Sequence, residues 1–179
     1  MVYILIVLLV IMDQILKYIV TKNVDVYEAK SLIDHFFSIT HVKNEGGAWS
    51  LFADQAWGII LLTIISAIAS VAMLIILFYL RNKHVPMIRL SVAILVSGTI
   101  GNMIDRIRFG SVIDYIQFQF GTYTFPIFNF ADMCIVSGSI LLAIMLLLDK
   151  QLFISHDKGT TLSQKTMELE DREDSTNAT

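Results

Sequence analysis

The stretch Gln55–Leu80, QAWGIILLTIISAIASVAMLIILFYL, runs for 26 residues without a charge. Nothing in it is more polar than Thr63, Ser66 and Ser70 beyond its first residue, Gln55. About 20 largely apolar residues carry a helix across the hydrocarbon core of a bilayer. This run is long enough to cross with tilt, and it sets the class of the whole chain. Of 179 residues, 55% are hydrophobic and only 16% charged, with a mean hydropathy of +0.67. That is too apolar for an ordinary soluble domain.

Three further apolar segments flank it. Met1–Met12 is uncharged and continues past Asp13 and Gln14 to about Val20. Leu90–Ile104 is uncharged and extends back to Pro86, a residue that suits the first turn of a helix. Met133–Leu148 is closed by Asp149 and Lys150. These three reach span length by including polar terminal turns. The fold class expected is an α-helical membrane protein with four transmembrane helices, over residues 1–20, 55–80, 86–105 and 132–149. The first helix reads as retained, since it lacks a basic leading region and a small-x-small cleavage site. The membrane domain covers 1–154. Residues 155–179 have no apolar periodicity and read as a disordered cytoplasmic tail.

Charge sets the topology and narrows the partners. The loop Arg81–Arg89 carries three Lys/Arg in nine residues, which places it in the cytoplasm by the positive-inside rule. Four spans then put both termini in the cytoplasm as well, and segments 21–54 and 106–131 outside. The net charge of −3 comes largely from the tail, where six acids face three bases after Ser155. No basic patch invites nucleic acid. The single cysteine, Cys134, makes no intrachain disulfide, and with four scattered His residues it offers no metal cluster. No cofactor or metal is expected.

The polar residues collect at one leaflet. With a rise of about 1.5 Å per residue, Asp13 lies roughly 18 Å from the inner end of its helix and Asn102 about 24 Å from Pro86. Asp105, Arg106 and Asp114 follow the outer end of the third span, and Asp132 opens the fourth on the same side. Residues 31–43 are rich in β-branched and aromatic side chains with partial alternation, so short strands are expected in a small extracytoplasmic β-like region. Residues 115–130 are uncharged, with Pro126, two Gln and many Phe/Tyr, and read as an interfacial aromatic segment.

Several polar motifs lie on this face. Asp13 and Lys17 share a helix face four residues apart, either as a plain ion pair or at a site margin, with the Lys stem reaching toward the outer interface. In Asn44-Glu45-Gly46-Gly47 the glycines suit a turn. The Asn44 amide suits either a peptide carbonyl or a neighbouring carboxylate. Asn102 and Arg106 are one helical turn apart, either as a polar helix end among headgroups or as a grip on a substrate carbonyl. Asp105 and Arg106, as sequence neighbours, need different partners. Asp132 alone is explained as a helix cap, but Asp114 is not. An ionisable group beside hydrocarbon is costly, and two carboxylates in a half-dry cleft can share a proton and activate water.

Taken in order, these blocks resemble the lipoprotein signal peptidases, or type II signal peptidases. The matching stretches are Met12–Lys17, Asn44–Trp49, Gly101–Arg106, Gly110–Tyr115 and Phe128–Asp132. The last three at this spacing are highly specific. Gly47 stands where the family usually has Ala, and Tyr115 where Phe is common; neither change removes a polar group. The resemblance implies an aspartyl peptidase of the bacterial cytoplasmic membrane that acts at the outer leaflet without a metal. It implies a diacylglyceryl-modified prolipoprotein as substrate, membrane lipid as surroundings, and inhibition by globomycin-like cyclic peptides. It makes Asp114 and Asp132 the catalytic pair. Asp13, Lys17, Asn44, Gly46, Asn102, Asp105, Arg106, Asn129 and Ala131 fall in the family's supporting or substrate-binding blocks. A monomer is expected.

Two other classes compete. A small proton-coupled membrane transporter would use Asp13 and Asp132 as a relay, and would need polar residues through the full depth of the spans. The second span and the inner halves of the others are bare of them. A non-enzymatic scaffold leaves Asp114, Asp132 and three asparagines without work.

Overall fold

A computed structural model describes residues 2–46 and 57–148. The element order is α1 (Val2–Asn23), β1 (Ala29–Ile33), β2 (Phe37–Asn44), α2 (Gly58–Tyr79, followed by a 3-10 turn Leu80–Asn82), α3 (Pro86–Phe109), β3 (Val112–Phe120) and β4 (Tyr123–Thr124). A fourth long helix, α4, covers Phe130–Leu148. Among the described residues, four helices are therefore long and apolar enough to cross a membrane. Residues 1–142 form one compact unit that holds every contact described below. The expected tail, 155–179, and the Gly47–Ser50 part of the glycine motif lie outside the described residues.

The helices differ in what surrounds them. Most of α2 is exposed to its surroundings, with Ile60, Ile64, Ile68, Val71, Ile75 and Phe78 all outward. Exposed Ile and Phe at that density suit lipid rather than water. By contrast α3 is the most enclosed of the four. Val92, Ala93 and Val96 pack with Ile6 of α1 and Leu77 of α2 in one core cluster. Small residues bring α4 against α3. A Cβ at Gly98 would overlap the Ala131 carbonyl oxygen, and one at Gly138 would lie 2.7 Å from the Leu95 nitrogen. Close approach of this kind is how helices associate where both face hydrocarbon.

Local chemistry explains the ends of α3. Pro86 occupies its first turn, where a missing N–H costs nothing. Gly110 ends it at φ 66°, in the left-handed region, and donates its N–H to the Arg106 carbonyl. The chain is thereby turned into β3.

The sheet is antiparallel in the order β1-β2-β3-β4. Thus β2, which precedes α2, pairs with β3, which follows α3, and sews the two loop segments together. A register shift between Ile39 and Val42 leaves Val42 opposite Asp114 and Asn44 opposite Val112. Asn44 is therefore a same-face diagonal neighbour of Asp114. The β3–β4 turn places Gly121 at φ 62°.

The aromatic segment takes a form that its sequence reading did not name. Much of 115–130 is strand: Tyr115–Phe120 complete β3 and Tyr123–Thr124 form β4. Ile116, Phe118 and Phe120 alternate with Gln117 and Gln119, the period of two that a strand shows. Phe118 and Phe120 contact Phe36, Phe118 also stacks on Phe37 and Phe128, and Phe125 meets Phe128 edge-on.

Candidate active site

The C-terminal ends of α1 and α3, the N-terminal end of α4 and the sheet meet at one end of the helices. Asp114 on β3 and Asp132 in the first turn of α4 are both brought there and buried or nearly so. Asn129 joins them. Its Nδ2 donates to Asp114 Oδ1 at 2.7 Å, and its backbone N–H donates to Asp132 Oδ2 at 3.1 Å. Its Oδ1 in turn accepts the Asp132 backbone N–H at 2.9 Å. The Asn129–Asp132 pair is thus a reciprocal capping box at the start of α4. Asn129 is the N-cap; Asp132, read from sequence as a cap itself, is the third helical residue.

Each carboxylate has one more side-chain donor. Asn44 Nδ2 donates to Asp114 Oδ2 at 3.0 Å, so of the two partners open to Asn44 it takes the carboxylate. Its Oδ1 accepts the Gly46 N–H at 2.9 Å, which sets the turn after β2. Asn102 Nδ2 donates to Asp132 Oδ1 at 2.7 Å. Burial pushes the Asp114 carboxyl up to about 7, and the nearby Asp132 charge adds to the rise. The amides of Asn44 and Asn129 pull the other way without overcoming it.

Behind the two acids lies a second cluster. Lys17 Nζ sits 2.9 Å from Asp13 Oδ2 and 2.8 Å from Asp105 Oδ2, and donates to Asn102 Oδ1 at 3.0 Å. The expectation that the Lys17 stem reaches the outer interface is corrected: the residue is 2% exposed and points inward. Three acceptors satisfy its three N–H donors, so it needs no water. Asp13 also accepts the Ala131 N–H at 3.0 Å, and Asp105 accepts the Ile113 N–H at 3.2 Å. Asp13, Asp105 and Lys17 thereby tie α1 and α3 to the start of α4 and to β3. Asp13 acts as an ion pair and an anchor together. Gly101 makes room for it, because a Cβ there would lie 2.6 Å from Asp13 Oδ2.

Arg106 stands apart from this network. Its Nη1 lies 3.5 Å from Ser66 Oγ, and its buried Nε has no hydrogen-bond partner among the described residues. Its charge interacts with Asp132, Asp114 and Asp105. Asp105 and Arg106 do take different partners, as their adjacency requires.

Two contributors carried no role in the sequence reading. Gln14 Nε2 donates to Asp105 Oδ1 at 3.0 Å and to the Gly101 carbonyl at 3.3 Å. An amide next to a carboxylate inside an apolar helix was the available signal. The buried Tyr115 hydroxyl accepts the Phe130 N–H at 3.3 Å, satisfying a first-turn donor of α4. Its burial also raises the phenol above its ordinary value. A phenol where phenylalanine is common was the only hint.

A family model described as signal peptidase (SPase) II matches residues 5–148. The chain is 33% identical over 146 residues to the lipoprotein signal peptidase of Halothermothrix orenii, covering 82% of this chain and 94% of that one. It is 38% identical over 146 residues to the lipoprotein signal peptidase of Lactiplantibacillus plantarum, covering 82% and 93%. A solved bacterial membrane enzyme, determined by the in meso method at 2.3 Å, superposes with a TM-score of 0.71 at 33% identity, covering 83% of this chain and 88% of that one.

Proposed function

The chain belongs to the signal peptidase II family, and from that premise we propose an aspartic endopeptidase that cuts diacylglyceryl-modified prolipoproteins on the N-terminal side of the lipidated lipobox cysteine. The observation that carries this reading is the pair Asp114 and Asp132, bridged through Asn129 and each given a second amide donor. Like charges this close do not both ionise readily, so the pair holds one proton. Asp114, with its carboxyl near 7, is the proton holder. Asp132 is the base.

The reaction follows from those roles. Asp132 takes a proton from water as the water oxygen bonds to the scissile carbonyl carbon. Asp114 gives its proton to the carbonyl oxygen, leaving a neutral tetrahedral diol. Collapse of the diol breaks the C–N bond. The departing nitrogen takes the proton from Asp132, and one diol hydroxyl returns a proton to Asp114. Both carboxyls end as they began, and no metal or other cofactor is called for. Arg106, with a donor to spare, is the candidate grip on the substrate backbone.

The substrate's acyl chains keep its cysteine at the bilayer boundary, so the site works at the outer leaflet of the bacterial cytoplasmic membrane. The Phe36, Phe118, Phe120, Phe125 and Phe128 rings, packed on one another at the sheet, would flank the lipid moiety and partly exclude water from the pair. A globomycin-like cyclic peptide would compete for the same cleft. One chain supplies both acids and their amide partners, so a monomer suffices for the reaction.

The deciding experiment is a gel-shift assay on lipid-modified prolipoprotein. Asp114→Asn and Asp132→Asn should each cleave at least about a hundredfold more slowly than the parent protein, as expected when a group that transfers a proton is lost. Full cleavage by either variant would sink the dyad. Equal processing of an unlipidated precursor would instead overturn the substrate assignment.

A further inference from the structure

We propose that Lys17 is a positioning residue that fixes which way the Asn102 amide points, and so secures the donor to Asp132 directly and, through Asn129, the donor to Asp114. This rests on the dyad reading above and deepens it. An ammonium has three donors and no acceptor. Asn102 must therefore turn its oxygen toward Lys17 Nζ, 3.0 Å away. Its Nδ2 is then left to donate to Asp132 Oδ1 at 2.7 Å. That same oxygen accepts from Asn129 Nδ2 at 3.1 Å, and the Asn129 amide, held by the Asp132 N–H on its Oδ1, donates on to Asp114 Oδ1 at 2.7 Å, so ammonium and helix cap agree on one orientation of Asn102.

Asparagine amides carry no polarity of their own in such a chain; either end can face either way. Reversing Asn102 would set its NH2 against the ammonium and against the Asn129 NH2, and would turn its oxygen on Asp132. Each of those contacts is repulsive. The charge of Lys17 thus sets which end of the Asn102 amide faces Asp132. Lys17 is in turn pinned by Asp13 and Asp105, which are anchored on the Ala131 and Ile113 N–H groups. The charged or titratable groups around this chain of bonds are Asp13 and Lys17 on α1, Asp105 and Arg106 on α3, Asp114 and Tyr115 on β3, and Asp132 on α4.

Removing Lys17 alone also removes a positive charge and strands two buried carboxylates, so the test balances charge. Lys17→Met with Asp105→Asn leaves the cluster's net charge as in the parent, and the amide oxygen that replaces the carboxylate can still accept the Ile113 N–H. Its reference is therefore the parent, whose cluster carries the same net charge. Relative to that reference, kcat should fall at least about tenfold with KM within about twofold, as expected for an interaction needed in the transition state. The alkaline limb of the pH profile should move up by about one unit, because a reversed Asn102 sets its NH2 against Asn129 Nδ2 and weakens that donor to ionised Asp114. Equal kcat and equal pH profiles in the two proteins would overturn the proposal.

Lys17→Arg covers the case in which the double variant fails to fold. A guanidinium is also donor-only, so a folded Lys17→Arg protein should keep the parent alkaline limb; a displaced limb would count against the orientation role. Failure of the dyad reading is separate and visible. If Asp114→Asn or Asp132→Asn still cleaves, the premise has gone; if both are dead while the Lys17 variants match the parent, only the positioning role has gone.

Discussion

Burial raises the Asp114 carboxyl from 3.8 to about 7, so over that range the folded chain holds a proton that the unfolded chain has released. Stability therefore falls as pH rises from about 4 to about 7, and the full cost is present above 7. Asp114→Asn removes the charge and should be more stable than the parent at pH 8, by roughly 2 kcal/mol after allowing for one lost amide hydrogen bond. At pH 5 the gap should close. Melting in detergent at the two pH values decides it; a parent protein that melts higher at pH 8 would contradict the assignment. On the proposed mechanism the same carboxyl sets the alkaline limb of activity, since there Asp114 gives the proton. The rate should decline as pH rises past about 7. At this scale the sequence was informative about identity and less so about direction. The Asp13–Lys17 pair was legible from its four-residue spacing. The inward turn of Lys17 was not, because it depends on Asp105 and Asn102, which arrive from another helix.

The start of α4 carries structure and chemistry in the same residue. Asn129→Ala removes the N-cap and should cost about 1 kcal/mol, along with most of the activity. Asn129→Ser restores a good cap but not the amide that joins Asp114 to Asn102. It should recover the melting temperature and not the cleavage, and recovery of both would show that Asn129 serves the helix alone. Close approach of α3 and α4 gives a second test. Gly98→Ala sets a methyl against the Ala131 carbonyl and must push the helices apart, at about 1–3 kcal/mol. A Gly98→Ala protein with parent stability and activity would show that the contact is dispensable. Span-length apolar runs made the helices readable in the sequence. The strand β3 carried its signal in the alternation of Ile116, Phe118 and Phe120 with Gln117 and Gln119, which the aromatic content of the segment overshadowed.

The basic loop Arg81–Arg89 and the sheet lie at opposite ends of α3, since the loop precedes Pro86 and β3 follows Phe109. By the positive-inside rule the loop should face the cytoplasm and the sheet the exterior. Lys83→Cys and Asp34→Cys, each with Cys134→Ser, would report this in intact cells. A membrane-impermeant maleimide should label position 34 and leave position 83 untouched until the cells are opened. The reverse pattern would invert the topology and remove the outer-leaflet site.

Order of synthesis adds a consequence. Asp114 emerges with β3, whereas Asn129 and Asp132 belong to the start of α4. Until that helix has been threaded and its first turn wound against Gly98 and Gly101, the nascent chain owns one acid and no bridge. On the dyad reading, hydrolytic competence then waits for α4 to insert, which guards against a half-made protease.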